Sequence, residues 1–269
     1  MGCKKVGVIG LGNMGHAVMR GLARLCAPGA GMLAGYDCDA AKARAAGKDV
    51  RIKLLGSVGE LAHFSDIVII AVKPQQFAQV ALELSGLSKG KLLISIAAGI
   101  KTRDIERAVG GKARVVRVMP NTPALVGEGM SVICAGRHAT QADLKAAISI
   151  FSCVGETEVL PERYFDLVTA ISGSGPAYFF YLKEALMEAA TGLGMKKDTA
   201  RKLVSRTALG AAKLLIETGH EPAVLRSRVT SKGGTTEQAM KVFEKEGFKR
   251  TVRKAVAAAQ KRSRQLSGG

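Results

Sequence analysis

Six consecutive apolar residues, Ile67-Val-Ile-Ile-Ala-Val72, leave no polar face before the run stops at Lys73-Pro74. A strand without a wet side must be covered on both faces, which is the situation of a strand inside a parallel sheet flanked by helices. Shorter runs recur at Lys5 to Gly10, Met32 to Tyr36, Arg51 to Leu54, Lys91 to Ile96, Val115 to Met119 and Met130 to Ala135. Amphipathic stretches of helical period separate them, so residues 1–160 read as repeated βα units. The expectation is a doubly wound α/β domain with a parallel sheet.

After Pro161 the strand signal stops. Helices are expected over Glu162 to Ile171, Pro176 to Leu193, Lys197 to Thr218 and Thr235 to Leu266, punctuated by Gly194, Gly219 and Gly247. Residues 161–269 should therefore form an all-α domain. Leu182, Ala185, Leu186 and Ala189 make one apolar stripe, and Ala208, Ala211, Ala212 and Leu215 make another. So much alanine- and leucine-rich helix cannot bury its apolar surface within one subunit, and a second copy packing helix on helix is expected.

No run approaches the roughly 20 apolar residues of a membrane span, and the chain enters a strand pattern at once without an apolar leader. A cytoplasmic protein without membrane contact is the expectation. The cysteines Cys3, Cys26, Cys38, Cys134 and Cys153 form no C-x-x-C pair, and His16, His63, His138 and His220 lack ligand spacing, so no metal site is indicated. The balance of 40 Lys and Arg against 22 Asp and Glu, +18 in all, raises nucleic acid as a partner. Against it, Lys249, Arg250, Arg253, Lys254, Lys261, Arg262 and Arg264 spread round a terminal helix among apolar positions, as a solvated face does. Aromatic residues make up 4% with no Trp, so stacking platforms are scarce. No specific nucleic-acid binding is expected.

Two segments carry chemistry. Gly10, Leu11, Gly12, Asn13, Met14 and Gly15 follow the first strand and open a helix, the context of a dinucleotide fingerprint. Gly10 permits the tight turn, Gly12 the approach of a pyrophosphate, and Gly15 close helix packing. Asp37 ends the second strand, where a carboxylate accepts from ribose hydroxyls and repels a 2′-phosphate by an amount of order kilocalories per mole. That reading favours NADH over NADPH. The other reading makes Asp37 a turn residue before Asp39, with Lys42 or Arg44 left to take a phosphate. Ala71, Val72, Lys73 and Pro74, then Ala97, Ala98 and Gly99, then Pro120 and Asn121 stand after later strands, at the edge where open α/β sheets bind ligands.

The second segment, Val229-Thr-Ser-Lys-Gly-Gly-Thr-Thr236, runs into a helical pattern with Glu237 in its first turn. Free N–H groups and partial positive charge at a helix start favour a carboxylate or phosphate, and Gly233 and Gly234 allow close approach. Ser231, Thr235 and Thr236 add hydroxyls. The plainer reading is an ordinary N-cap.

Taken together, Gly10-Leu-Gly-Asn-Met-Gly15, Ala71-Val-Lys-Pro74, Ser95-Ile-Ala-Ala-Gly99, Met119-Pro-Asn-Thr-Pro-Ala-Leu125, Ser172-Gly-Ser-Gly-Pro-Ala-Tyr178 and the double-glycine loop resemble the motifs of pyrroline-5-carboxylate reductases, in order and across essentially the whole chain. Lys232 departs from the family's usual proline, and Asp37 is unusual at its position. The resemblance implies a Rossmann-type domain followed by a helical substrate and dimerisation domain. It also implies reduction of a cyclic imine, Δ1-pyrroline-5-carboxylate, to L-proline with NADH or NADPH. On it, the turns at Ala71–Pro74, Ala97–Gly99 and Pro120–Asn121 surround ribose and nicotinamide, and Ser174 lies near substrate. Ser231 and the N–H groups around Gly234, Thr235 and Thr236 bind the substrate carboxylate, Gly233 also belongs to the substrate loop, and the Thr236 hydroxyl lies near the ring nitrogen. Thr236 and Ser231 are then the catalytic candidates, in a homodimer or larger homo-oligomer.

Two other classes stay open. β-Hydroxyacid dehydrogenases share the glycine fingerprint and a helical second domain, but place a lysine just after a similar glycine stretch, and here Lys183 comes about a turn too late. A dinucleotide-sensing or RNA-binding protein without turnover would use the charge but not the double-glycine loop.

Overall fold

The computed structural model describes residues 4–25 and 32–268, so Cys3 and Cys26 lie outside the described residues. Compactness divides the chain into two units, Met1–Ser174 with Ala259–Gly269, and Gly175–Ala258.

In the first unit β1 (Val6–Ile9), α1 (Asn13–Leu25), β2 (Leu33–Tyr36), α2 (Ala40–Asp49), β3 (Lys53–Leu54), α3 (Val58–Phe64), β4 (Ile67–Ile70), α4 (Pro74–Leu84), β5 (Leu92–Ser95), α5 (Thr102–Ala108) and β6 (Arg114–Met119) alternate as expected. β7 (Gly129–Ala135), α6 (Gln141–Phe151) and β8 (Gly155–Val159) follow. The sheet order is β3-β2-β1-β4-β5-β6-β7-β8. β1 to β6 are parallel, with Val6 opposite both Leu33 and Ile67.

The apolar run that anchored the reading behaves as a two-faced strand. Ile67 and Ile69 join the core under α1 and α6, while Val68 and Ile70 join the core under α3 and α4. All four are at most 2% exposed, so each contributes about 1.5–3 kcal/mol of hydrophobic stabilisation.

The sheet departs from the expected one in two ways, one of direction and one of strand number. β7 runs antiparallel to β6, because the link Pro120–Glu128 is too short for the crossover of a dozen or more residues that a parallel neighbour needs. β8, parallel to β7, was not foreseen. Its sequence Gly-Glu-Thr-Glu-Val lacks a buried face, and charged side chains on an edge strand suppress the apolar signal while protecting the edge.

The division in compactness falls after Ser174, past the sequence boundary at 160. The reason is that Phe165 and Val168 pack on Val132 and Cys134 of β7. The helix expected over Glu162 to Ile171 is a composite of a 3-10 turn (Glu162–Tyr164), α7 (Phe165–Val168) and a π-helical turn (Thr169–Gly173).

The second unit holds α8 (Gly175–Gly192), α9 (Lys197–Thr218), α10 (Pro222–Arg228), α11 (Thr235–Lys245) and most of α12 (Phe248–Leu266), whose last residues belong to the first unit. The single helix expected from Thr235 to Leu266 is divided at Gly247, which has φ +69°. α10 was also missed. Within α8 and α9 only Gly175 and Ala200 are buried, whereas Phe179, Tyr181 and Ile216 are 74–77% exposed. A monomer does not leave such a surface in water. The seven basic residues of α12 singled out above are all exposed, as a solvated face requires. Among the described residues no helix is long and apolar enough to cross a membrane, and no group of three or more His, Cys, Asp or Glu is arranged to hold a metal ion.

Candidate active site

The chain steps outward from β1 to β2 and β3 on one side and through β4, β5 and β6 on the other, so the strand order reverses between β1 and β4. Their carboxyl ends carry Gly10 and Ala71, at the topological switch point where ligands of open α/β sheets bind. Gly10 has φ +93°, and a side chain there would come within 2.7 Å of the Ala71 carbonyl oxygen. Gly12 by contrast faces open space, with nothing within 4 Å of where a Cβ would stand. A Cβ at Gly15 would run into the Gly10 carbonyl, so glycine there lets α1 start tight against the turn. Leu11 is buried and Met14 packs on the core. Asn13 is exposed at the start of α1. The arrangement leaves backbone N–H groups and a helix N-terminus facing a cradle free of side chains, which fits a pyrophosphate.

That cradle opens into a cavity of about 400 Å³ that touches Gly10, Gly12, Asp37, Ala71, Val72 and Lys73. Pro74 takes the first position of α4, directly after the capping residue Lys73. Asp37 is more than a turn residue. Its Oδ2 accepts the Leu11 N–H at 2.7 Å and its Oδ1 the Asp39 N–H at 2.8 Å, which ties the end of β2 to the glycine-rich turn. Lys42 borders the same cavity and its Nζ lies 3.3 Å from Asp39 Oδ2. Its ammonium is held above the usual lysine range by hydrogen bonding to Asp39, whose own carboxyl is lowered chiefly by the Ala41 N–H. Arg44 is exposed and does not border the cavity.

Tyr36, Gln76 and Glu83 also line this cavity and were missed by the sequence reading. Burial first, then the Glu83 carboxylate, raises the Tyr36 phenol. For Gln76 and Glu83 the signal was the polar face of α4, with Gln75, Gln76, Gln79 and Glu83 recurring at helical spacing.

The remaining turns of the first unit lie outside that cavity. Ala97 is buried and Ala98 exposed, while Gly99 has φ +78° and leads to Lys101 and α5. Pro120 is buried. The Asn121 side chain is committed to protein contacts: its Oδ1 accepts the Met130 N–H at 2.8 Å, and its amide donates to the carbonyl and hydroxyl oxygens of Ser172, both at 3.3 Å. A Cβ at Gly173 would stand 2.6 Å from Met119 Cε. Glycine there lets the Ser172–Ser174 turn press on the end of β6, and Ser174 is half-buried, its N–H donating to the Thr169 carbonyl at 2.8 Å.

In the second unit α11 begins at Thr235 with Gly234 as its N-cap and no side-chain capping hydrogen bond. The ordinary N-cap reading of the hydroxyls is thereby corrected. The Thr230 hydroxyl turns back to the Arg226 carbonyl at 2.6 Å, and Glu237 reaches back to the Gly233 N–H at 2.7 Å. The Ser231 hydroxyl lies against Gly234, where a Cβ would displace it. Thr236 is half-buried on the first turn, and Ser231, Gly233 and Thr235 are exposed. The loop thus places Ser231, Thr235 and Thr236 at a helix start whose N-cap is a glycine, with the Glu237 carboxylate turned back onto the preceding residue.

Gly234 N–H donates to the Ser231 carbonyl at 3.0 Å, and Gly233 has φ +75°. Those two facts define a type II turn with Lys232 at the second position, where proline is favoured. The Lys232 N–H makes no hydrogen bond among the described residues. Lys232→Pro is therefore expected to stabilise the protein by about 0.4–1 kcal/mol through the unfolded state. An unchanged or lowered melting temperature in a thermal scan would refute this account of the turn.

Comparison with known proteins decides the family. The chain is 42% identical over 269 residues to a pyrroline-5-carboxylate reductase of Arabidopsis thaliana, spanning 98% of this chain and 95% of the relative. The chain belongs to the pyrroline-5-carboxylate reductase family. Residues 162–266 match the model for pyrroline-5-carboxylate reductase dimerisation, and residues 5–99 match that for NADP oxidoreductase, coenzyme F420-dependent. Among solved structures, a pyrroline-5-carboxylate reductase from Coxiella burnetii aligns at TM-score 0.92 and 36% identity, covering 98% of this chain and 99% of that one. A Plasmodium falciparum pyrroline carboxylate reductase, solved with NADP bound, aligns at TM-score 0.87 and 33% identity, with 98% of each chain covered. The family's dimerisation segment coincides with the helices whose apolar faces stand exposed here.

Proposed function

We infer that this chain reduces Δ1-pyrroline-5-carboxylate to L-proline with NAD(P)H, and that NADH is the preferred donor. Family membership sets the reaction. The observation that carries the assignment of residues is the helix start at Thr235, whose N-cap is a glycine that makes no side-chain capping bond, with Ser231, Thr235 and Thr236 beside it. A bound reduced nicotinamide supplies the hydride, so the protein's tasks are to hold the imine carbon in reach, exclude water and support the ring nitrogen's proton.

Gly10, Leu11, Gly12, Asn13, Met14 and Gly15 form the pyrophosphate cradle, with Ala71, Val72, Lys73 and Pro74 at its side. Ala97, Ala98 and Gly99, and then Pro120 and Asn121, border the ribose and nicotinamide. Because the Asn121 amide is committed to Ser172 and Met130, its part is to fix the turn. Ser231 and the N–H groups of Thr235 and Thr236, beyond Gly234, take the substrate carboxylate, the Gly233 and Gly234 N–H groups being held by Glu237 and Ser231, and the Thr236 hydroxyl meets the ring nitrogen, with Ser174 beside the substrate. A threonine hydroxyl is too weak an acid to supply the proton, which comes from water or from an imine already protonated.

Asp37 supports the preference for NADH. Both of its oxygens accept one N–H each, and a carboxylate has capacity for more, which suits ribose hydroxyls. A 2′-phosphate would meet this charge, while Lys42 is engaged by Asp39. The direct test is oxidation of NADH and NADPH with pyrroline-5-carboxylate and, separately, with a panel of 3-oxo acids. Proline formation with NADH the better donor is expected; oxidation with the 3-oxo acids alone would move the chain to hydroxyacid chemistry.

The helices of residues 161–269 pair with those of a second copy, and the substrate pocket lies near that interface. Sedimentation at assay concentration should give a dimer or larger assembly. A fully active monomer would defeat this part of the reading.

A further inference from the structure

We propose that Asp166 is a positioning residue for the reaction: it clamps the end of α12 against the Ala97–Gly99 turn and so holds that side of the cofactor site in place. The inference rests on the reading, given above, that this turn borders the nicotinamide.

Asp166 stands on α7, and its Oδ1 accepts the Ser263 hydroxyl at 2.7 Å and the Ser267 hydroxyl at 3.3 Å. Those serines are 7% and 9% exposed, and Ser263 is the only buried residue of α12. Around them Lys261, Arg262, Arg264, Gln265 and Leu266 are exposed. The end of α12 is thus held by hydroxyls on one carboxylate, with little apolar burial to retain it, and a turn with so few ties opens locally at low cost.

What this turn touches gives the clamp its consequence. Gly99 has φ +78°, and a side chain there would come within 3.1 Å of the Leu266 carbonyl oxygen. The backbone of the last turn therefore backs the cofactor-side turn directly. A second tie acts one helical turn earlier. Glu162 accepts the Thr102 N–H and hydroxyl, both at 2.8 Å, and Arg117 Nη1 at 3.0 Å, which secures the chain just beyond Gly99. The segment from Glu162 to Asp166 grips the turn from its following helix and from the end of α12. Freed from Asp166, the last turn no longer limits the positions of Ala97–Gly99, and part of the cofactor's binding free energy goes into ordering them.

The test compares Asp166→Ala, Asp166→Asn and the double variant Ser263→Ala/Ser267→Ala with the wild type. Steady-state kinetics, melting temperature and direct NADH titration followed by nicotinamide fluorescence are read for each. Asp166→Ala and the double serine variant should raise KM and Kd for NADH about threefold to tenfold, with kcat within about twofold. Asp166→Asn keeps an acceptor oxygen and should lie near the wild type. Unchanged NADH affinity in Asp166→Ala, or an Asp166→Asn protein as impaired as the alanine variant, would overturn the clamp. The fluorescence titration needs no turnover, so a wild type inactive on pyrroline-5-carboxylate would remove the assigned reaction while the clamp is still measured.

Discussion

Replacing Thr236 by alanine is expected to lower kcat/KM about tenfold to a hundredfold, corresponding to roughly 1.4 to 2.7 kcal/mol of transition-state stabilisation. The hydroxyl would polarise the ring nitrogen as the imine carbon accepts hydride, an interaction stronger in the transition state than in the ground state. A threonine this close to a helix start invites the alternative that it serves as a cap. The local structure separates the two roles, because the capping position belongs to Gly234, which makes no side-chain bond, and Thr236 lies inside the first turn. Stability should therefore change little, and NADH affinity should stay near the wild-type value. Ser231→Ala should act mainly on KM for the substrate, since the carboxylate proposed for it is present in ground and transition states alike. A Thr236→Ala protein with normal turnover and a lowered melting temperature would mean that the residue serves the fold alone.

Asp37→Ser is expected to shift the ratio of NADPH to NADH efficiency by roughly tenfold to a hundredfold toward NADPH, the scale of removing one like charge from a partly desolvated phosphate site. The carboxylate also accepts the Leu11 and Asp39 N–H groups, so its loss slackens the glycine-rich turn, and NADH efficiency should fall at the same time. Hydrogen bonds to a charged acceptor contribute about 1.5–3 kcal/mol each, which makes a lower melting temperature part of the expected result. Asp37→Asn separates the effects, because it drops the charge while keeping one acceptor oxygen for Leu11. If both variants leave the cofactor ratio where it was, or if the wild type already favours NADPH strongly, Asp37 acts as a tie between β2 and the turn and does not read the ribose.

The parts of the fold legible in advance are those with a strong local period. Ile67–Ile70 could only be a strand covered on both sides, and the two cores that divide its side chains occupy those sides. The glycine-rich turn was legible because Gly10 and Gly15 answer to backbone geometry that one strand and one helix define between them. Gly155–Val159 was not legible, since its place in the sheet comes from pairing with β7 and not from apolar alternation. The antiparallel direction of β7 follows from the length of Pro120–Glu128 and could have been argued from it. Around the candidate site, Gly10, Gly12, Asp37 and Ala71–Lys73 meet at one cavity. Tyr36 and Glu83 join them only because α4 lays its polar face over the end of β2.

By itself the sequence determined the two-part architecture and the family, and it marked the candidate site segments, because each rests on residues close together along the chain. Hydrophobic period, glycine spacing and hydroxyl density are local properties. Tertiary structure alone decided that Asp37 bonds the glycine turn, that the Asn121 amide is spent on Ser172 and Met130, and that Asp166 meets Ser263 and Ser267 from 97 and 101 residues away. A side-chain hydrogen bond between distant segments leaves no period to read, since any of many polar residues satisfies the same acceptor and only packing brings one of them within reach.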